Sequence, residues 1–133
     1  MTLNFSISEL IYSDTAIKHN INNMPDIKSL DNMLNLIYYC LQPIREKLNK
    51  PMIISSGYRC REVNSLVGGA QNSQHLKGEA VDFMVKGETV QGLIFKISTM
   101  GIAYDQLINE YDSWVHISYS KDKNRNMPPF KIG

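Results

Sequence analysis

Asp82 stands in the middle of Ala80-Val81-Asp82-Phe83-Met84-Val85, a run that is otherwise apolar. Successive side chains of a β-strand point to opposite faces. Read as a strand over 79–85, this segment gives Val81, Phe83 and Val85 to a core and turns Asp82 the other way, beside Ala80. A carboxylate buried in so apolar a strand needs a partner. A metal ion is a natural one, and the chain must then bring further ligands to the same face.

Two histidines are placed to do so. His75 lies in Ser73-Gln74-His75-Leu76-Lys77-Gly78, just before the strand. Gly78 permits the sharp turn that carries His75 back beside Asp82. His116 lies in Trp114-Val115-His116-Ile117-Ser118, a second strand pattern. There Val115, Ile117 and Tyr119 suit the core, and Trp114, His116 and Ser118 take the face of Asp82. Two neutral imidazoles and one carboxylate suit Zn²⁺, and they leave a fourth position free for water. Taken singly, each residue reads as an ordinary turn or core group. The three together point to one catalytic zinc ion per chain.

The remaining pattern supports an α+β fold, with a small, mainly antiparallel sheet flanked by helices. Residues 5–19 read as a short helix and its exit, capped by Ser6 or Ser8. Over 26–49, Ile27, Leu30, Met33, Leu34, Ile37, Leu41, Ile44 and Leu48 recur at helical spacing. Pro43 lies inside that pattern and should kink or split the helix near Tyr39-Cys40. Residues 51–55 read as a short buried strand, 60–66 as a short helix, and 67–73 as a glycine- and amide-rich loop. Residues 88–99 read as a second good helix. A hairpin is expected from 106–110 and 114–119 around Tyr111-Asp112-Ser113. One domain over 1–120 is expected, with a polar, loosely packed tail over 121–133.

The bulk numbers exclude several classes. The chain has 133 residues, enough for one core. Its net charge of +1 leaves no basic footprint for nucleic acid. No apolar run is long enough for a membrane span. No secretory signal is visible at the start. Synthesis in the cytoplasm is therefore expected, as a monomer. Cys40 and Cys60 form no metal-binding pair, and Cys40 reads as a buried free thiol. His19 reads as a solvated or capping residue.

Ser73-x-His75-x-x-Gly78-x-Ala80-x-Asp82 with a later Trp114-x-His116 resembles the zinc D-alanyl-D-alanine carboxypeptidase family. These are the peptidoglycan LAS metallopeptidases, which share their fold with the hedgehog signalling domain. Pro51-Met52-Ile53-Ile54-Ser55-Ser56-Gly57-Tyr58-Arg59, Val63-Asn64-x-x-Val67-Gly68-Gly69 and Asp105-Gln106-Leu107-Ile108-x-Glu110 extend the likeness to the small phage- and prophage-type branch. The resemblance implies that His75, Asp82 and His116 bind Zn²⁺. It implies that Arg59 holds a substrate carboxylate or carbonyl, as its planar fork allows. A salt bridge pinning the Ser56-Gly57 turn is the structural alternative for Arg59. Ser73 either contacts substrate or caps the turn. Gln71 and Trp114 are further substrate-contact candidates.

The general base departs from the family pattern. Several branches place a carboxylate three residues before the second histidine, where this chain has Ser113. Glu110 is the favoured base, and Asp112 is the alternative. The implied activity is metal-assisted hydrolysis of an amide in the peptidoglycan stem peptide. Removal of a terminal D-alanine is the leading expectation, with L-alanyl-D-glutamate or cross-bridge endopeptidase activity of an endolysin as the alternative. The route to the cell wall would then be lysis, holin-type release or carriage in a virion. A zinc-containing binding module or virion component is the rival class.

Overall fold

The computed structural model describes residues 3–133. Three short caps start its helices. Ser6 accepts a hydrogen bond from the Glu9 amide ahead of α1 (Ile7–Ile11), and Ser13 accepts one from Ala16 ahead of α2 (Asp14–Lys18). Asp26 does the same for Ser29 at the start of α3 (Ile27–Leu36). Each cap satisfies one backbone donor that the first turn leaves unpaired. The expected single N-terminal helix is thus two helices, because Ser13 is itself a cap.

Pro43 acts as its missing N–H requires. The turn before it widens to a π-helix over Ile37–Leu41, with the Gln42 amide donating to Ile37. The helix resumes as α4 (Gln42–Leu48) and ends at Asn49, which adopts the left-handed conformation at φ 53°. A π-turn absorbs the lost bond without breaking the rod. The buried face is Met33, Leu36, Ile37, Cys40, Leu41 and Ile44. Ile27 and Leu34 lie off it and are exposed, contrary to the spacing read from the sequence.

A five-stranded sheet follows, in the order β1-β2-β4-β3-β5. Its strands are β1 (Ile53–Ser56), β2 (Ala80–Met84), β3 (Leu107–Glu110), β4 (Trp114–Ser118) and β5 (Phe130–Ile132). All pairings are antiparallel except β3 with β5. Helix α5 (Arg61–Leu66) follows β1, and α6 (Val90–Ser98) packs on β3 and β4. Val81, Phe83, Leu107, Val115 and Ile117 are wholly buried on the core face with Leu93 and Ile97 of α6. The opposite face of β2, β4 and β3 carries Asp82, His116 and Glu110.

Two expectations fail. β1 is an edge strand, and Ile53 is 60% exposed; the buried apolar residue of that stretch is Met52, just before it. The tail is not loose. Asn126 and Met127 donate backbone hydrogen bonds to Tyr104 and Asp105, and Tyr111 donates to Ile132 across β3 and β5. Backbone pairing needs no long apolar run, so a three-residue strand within a polar tail escapes detection by composition. Among the described residues, no helix is long and apolar enough to cross a membrane.

Candidate metal centre

The sheet register builds half of the site. Asp82 pairs directly with His116, so their side chains rise together from one face. Asp82 Oδ1 lies 2.9 Å from His116 Nδ1. A bulge in β1 between Ile54 and Ser56 sets Ser56 opposite Asp82. Bulges re-aim the chain at such places, and here the bulge leads into the loop that carries Arg59.

The other half comes from a short 3-10 turn over Gln74–Lys77. Ser73 caps it by accepting the His75 amide at 3.2 Å. The cap is therefore the role the geometry gives Ser73. Gly78 ends the turn at φ 73°, and a Cβ there would press on the Ser29 carbonyl and Met33. Left-handed backbone and close approach both demand glycine at that point.

His75 is clamped at both ends. Its Nδ1–H donates to the Gly57 carbonyl at 2.7 Å, and its own carbonyl accepts the Arg59 amide at 3.0 Å. The loop over 57–60 is pinned in turn by the N-terminal segment. Tyr58 donates to the Leu10 carbonyl, while Asn23 bonds Ile11, Tyr58 and Cys60. Gly57 sits so close to Leu10 that a Cβ would collide with its carbonyl.

The donor atoms suit a metal ion. His75, Asp82 and His116 are all buried, and one ligand atom of each lies within 4.8 Å of the others. With its Nδ1–H committed to Gly57, neutral His75 turns the Nε2 lone pair toward Asp82 Oδ1, 3.3 Å away. Two acceptors facing each other in a buried site repel, and a cation between them removes the repulsion. Burial by itself would raise the Asp82 pKa, yet hydrogen bonds and charge from the His116 and His75 rings when they carry protons, in the place a cation would take, hold the carboxyl well below its usual range. The ligand set is thus charged where a dication needs charge.

Glu110 pairs with Trp114 in the ladder, which puts it on the face of His116. Its Oε1 lies 3.4 Å from His116 Nδ1. Asp112 goes elsewhere. It sits at φ 54° in the turn, takes a hydrogen bond from Asn109 and pairs with Lys131 at 2.9 Å.

Arg59 meets three partners. Nε donates to Ser56 Oγ at 3.1 Å, Nη1 to Asn64 Oδ1 at 3.3 Å, and Nη2 lies 3.5 Å from Asp82 Oδ2. The salt bridge considered from the sequence is present. A guanidinium has five donors, so two N–H groups remain. Burial pulls the Arg59 pKa down against the charges of Asp82 and Glu110. A cleft of about 380 Å³ opens beside it, lined by Tyr12, Asp14, Ser56, Asp82 and Trp114 among others. Trp114 Nε1 is buried and has no hydrogen-bond partner. Gln71 is exposed in the loop before the 3-10 turn, and His19 is exposed at the end of α2.

Sequence reasoning missed the supports. Asn64 and Asp105 stand in segments that carry the family resemblance, and Asn23 and Gln74 read as plain amides, but nothing in their spacing marks a supporting role. Only their occurrence close to the ligands could have drawn notice.

Comparison with known proteins bears on the same residues. No curated protein matches the chain. The family described as Peptidase M15 matches it over residues 3–118, a span that contains all three donor residues, Arg59 and Glu110. With that match covering most of its length, the chain belongs to the peptidase M15 family of zinc metallopeptidases.

Proposed function

We propose that the protein is a zinc-dependent peptidase of peptidoglycan that hydrolyses an amide bond of the stem peptide, with D-alanyl-D-alanine carboxypeptidase as its activity. The observation that carries this reading is the convergence of His75, Asp82 and His116 on one buried point with Glu110 beside them. A module that only bound partners would have no use for a free carboxylate there.

His75 through Nε2, Asp82 through Oδ1 and His116 through Nδ1 would hold the ion. Zinc, when bound, supplies Lewis-acid activation of water and of the scissile carbonyl. Glu110 takes the proton of the attacking water at a carboxylate oxygen and returns it to the leaving amine. Its side chain is 20% exposed, open enough to exchange that proton and close enough to reach the site. Arg59 offers its two spare N–H groups to the terminal carboxylate of the substrate. Trp114 lines the wall of the cleft beside Arg59, where its ring can pack on the substrate. Ser56 and Asn64 fix the guanidinium, so its fork is set before substrate arrives.

Mass spectrometry of purified stem pentapeptide, incubated with zinc-loaded protein, tests the proposal. Loss of the terminal D-alanine by wild type and not by His116→Ala is the expected result. Release at the L-alanine end would make the enzyme an endopeptidase. Intact pentapeptide and intact cross-linked wall, with zinc fully bound, would favour a binding module.

A further inference from the structure

His116 has a second nitrogen, and it is not left free. Nε2 lies 3.4 Å from Gln74 Oε1. Gln74 Nε2 donates to Asp105 Oδ2 at 2.7 Å. Asp105 is buried, 3% exposed, and receives three hydrogen bonds from Arg125: Nε to Oδ1 at 2.8 Å, Nη2 to Oδ2 at 2.8 Å, and the backbone amide to Oδ1 at 3.0 Å.

The direction of every bond in this chain follows from what each group can do. A guanidinium only donates, so Arg125 fixes Asp105 as an ionised acceptor. An ionised carboxylate only accepts, so Gln74 must turn its NH₂ group to Asp105. The Gln74 carbonyl then faces His116. A carbonyl only accepts, so with a cation held between Nδ1 and the carboxylates of Asp82 and Glu110 the ring hydrogen of His116 belongs on Nε2. That leaves the lone pair on Nδ1, the nitrogen beside Asp82 and Glu110. The Gly57 carbonyl does the same for His75 by the opposite nitrogen, leaving Nε2 toward the site.

We propose that Gln74, Asp105 and Arg125 form a positioning relay that fixes the tautomer and ring orientation of His116, so that Nδ1 is presented to the metal. The inference rests on His116 being a zinc ligand. Outer partners of this kind orient ligand imidazoles and raise their basicity. The anchor is notable for its place in the chain. Arg125 lies in the polar tail, beyond the residues 3–118 that match the peptidase family. The tail is held there by its own backbone bonds to Tyr104 and Asp105. The segment thus reaches the metal centre through one buried acid and one amide.

Two variants test the relay. Gln74→Leu removes the link at similar volume. Arg125→Met acts at a side chain that is 58% exposed, so the core stays closed if the first variant folds poorly. Zinc affinity is measured by competition with a chromophoric chelator, and exchange of the His116 Nε2–H by NMR of the zinc-loaded protein. We expect a loss of zinc affinity of about 10- to 100-fold for Gln74→Leu, a smaller loss for Arg125→Met, and faster Nε2–H exchange in both. Wild-type affinity and exchange in both variants would overturn the relay and leave the zinc assignment standing. Lost affinity with unchanged exchange would also overturn it, since the role would then be merely structural. Absence of zinc uptake by wild type, or undiminished uptake by His75→Ala, would bring down the ligand assignment and the relay with it.

Discussion

Asp82 and His116 are direct partners in the ladder between β2 and β4, with Oδ1 and Nδ1 2.9 Å apart. The pairing register therefore fixes two of the three donor atoms before any loop is placed. A slip of one residue in either strand would send that strand's ligand into the core and part the pair. His116→Ala should keep the fold, because Val115 and Ile117 hold the core face of β4. Zinc affinity should fall by more than the roughly 100-fold upper range for outer partners, and peptide hydrolysis should vanish. Circular dichroism with chelator competition checks this. Undiminished zinc uptake by a folded variant would contradict the ligand set.

Glu110 and Asp112 differ by two positions and by everything that matters for proton transfer. Glu110 lies 3.4 Å from His116 Nδ1, and Asp112 is paired with Lys131 at the turn. Glu110→Gln should lower kcat by about 10²- to 10⁴-fold, the usual contribution of a general base, while zinc uptake persists. Asp112→Asn should leave kcat unchanged. The two kcat values, measured at equal zinc loading, decide between the carboxylates. An inactive Asp112→Asn with an active Glu110→Gln would reverse the assignment.

Arg59 supplies the specificity test. Its Nε and Nη1 are held by Ser56 and Asn64, and its spare donors form a fork that lysine cannot copy. A charged hydrogen bond is worth about 1.5–3 kcal/mol, so Arg59→Lys should raise KM by roughly 10- to 150-fold for a stem peptide with a free terminal carboxylate. A peptide amidated at that end should bind wild type and variant alike. Equal KM increases for both peptides would remove the carboxylate from the role of Arg59.

Much of the site was legible in the sequence because strand alternation is rigid. Once Val81 and Phe83 are given to the core, Asp82 has only one way to point. Once Val115 and Ile117 are given to it, His116 follows, and the antiparallel register brings the two together. Glu110 was legible for the same reason, four positions before Trp114 across a tight turn. The relay was not. Gln74, Asp105 and Arg125 come from three separate segments, and no periodicity links a loop amide to a tail arginine. β1 misled because Ile53 and Ile54 are apolar, yet edge position is a property of the sheet, not of the strand. The π-turn at Ile37–Leu41 was half legible. Pro43 announced a defect, but the way the helix absorbs it depends on packing against the rest of the core.

Cys40 gives a prediction independent of the metal. It is fully buried on the face of the π-turn, and burial pushes its thiol from an ordinary 9.0 up to about 12. The folded state therefore favours the neutral thiol more than the unfolded state does. The contribution is complete below pH 9 and is lost as pH rises toward 12. Urea midpoints measured from pH 8 to 11 should fall more steeply for wild type than for Cys40→Ala. Tyr58 and Tyr104, which burial also pushes upward, are common to both proteins and cancel in the comparison, while Tyr119, raised in part by Cys40 itself, adds to the wild-type slope in the same direction. In native protein at pH 8, a thiol reagent should label the half-buried Cys60 and spare Cys40, and denaturation should expose the second thiol. Parallel midpoints, or two thiols labelled at once in the native state, would mean that this helix opens to solvent far more readily than its packing implies.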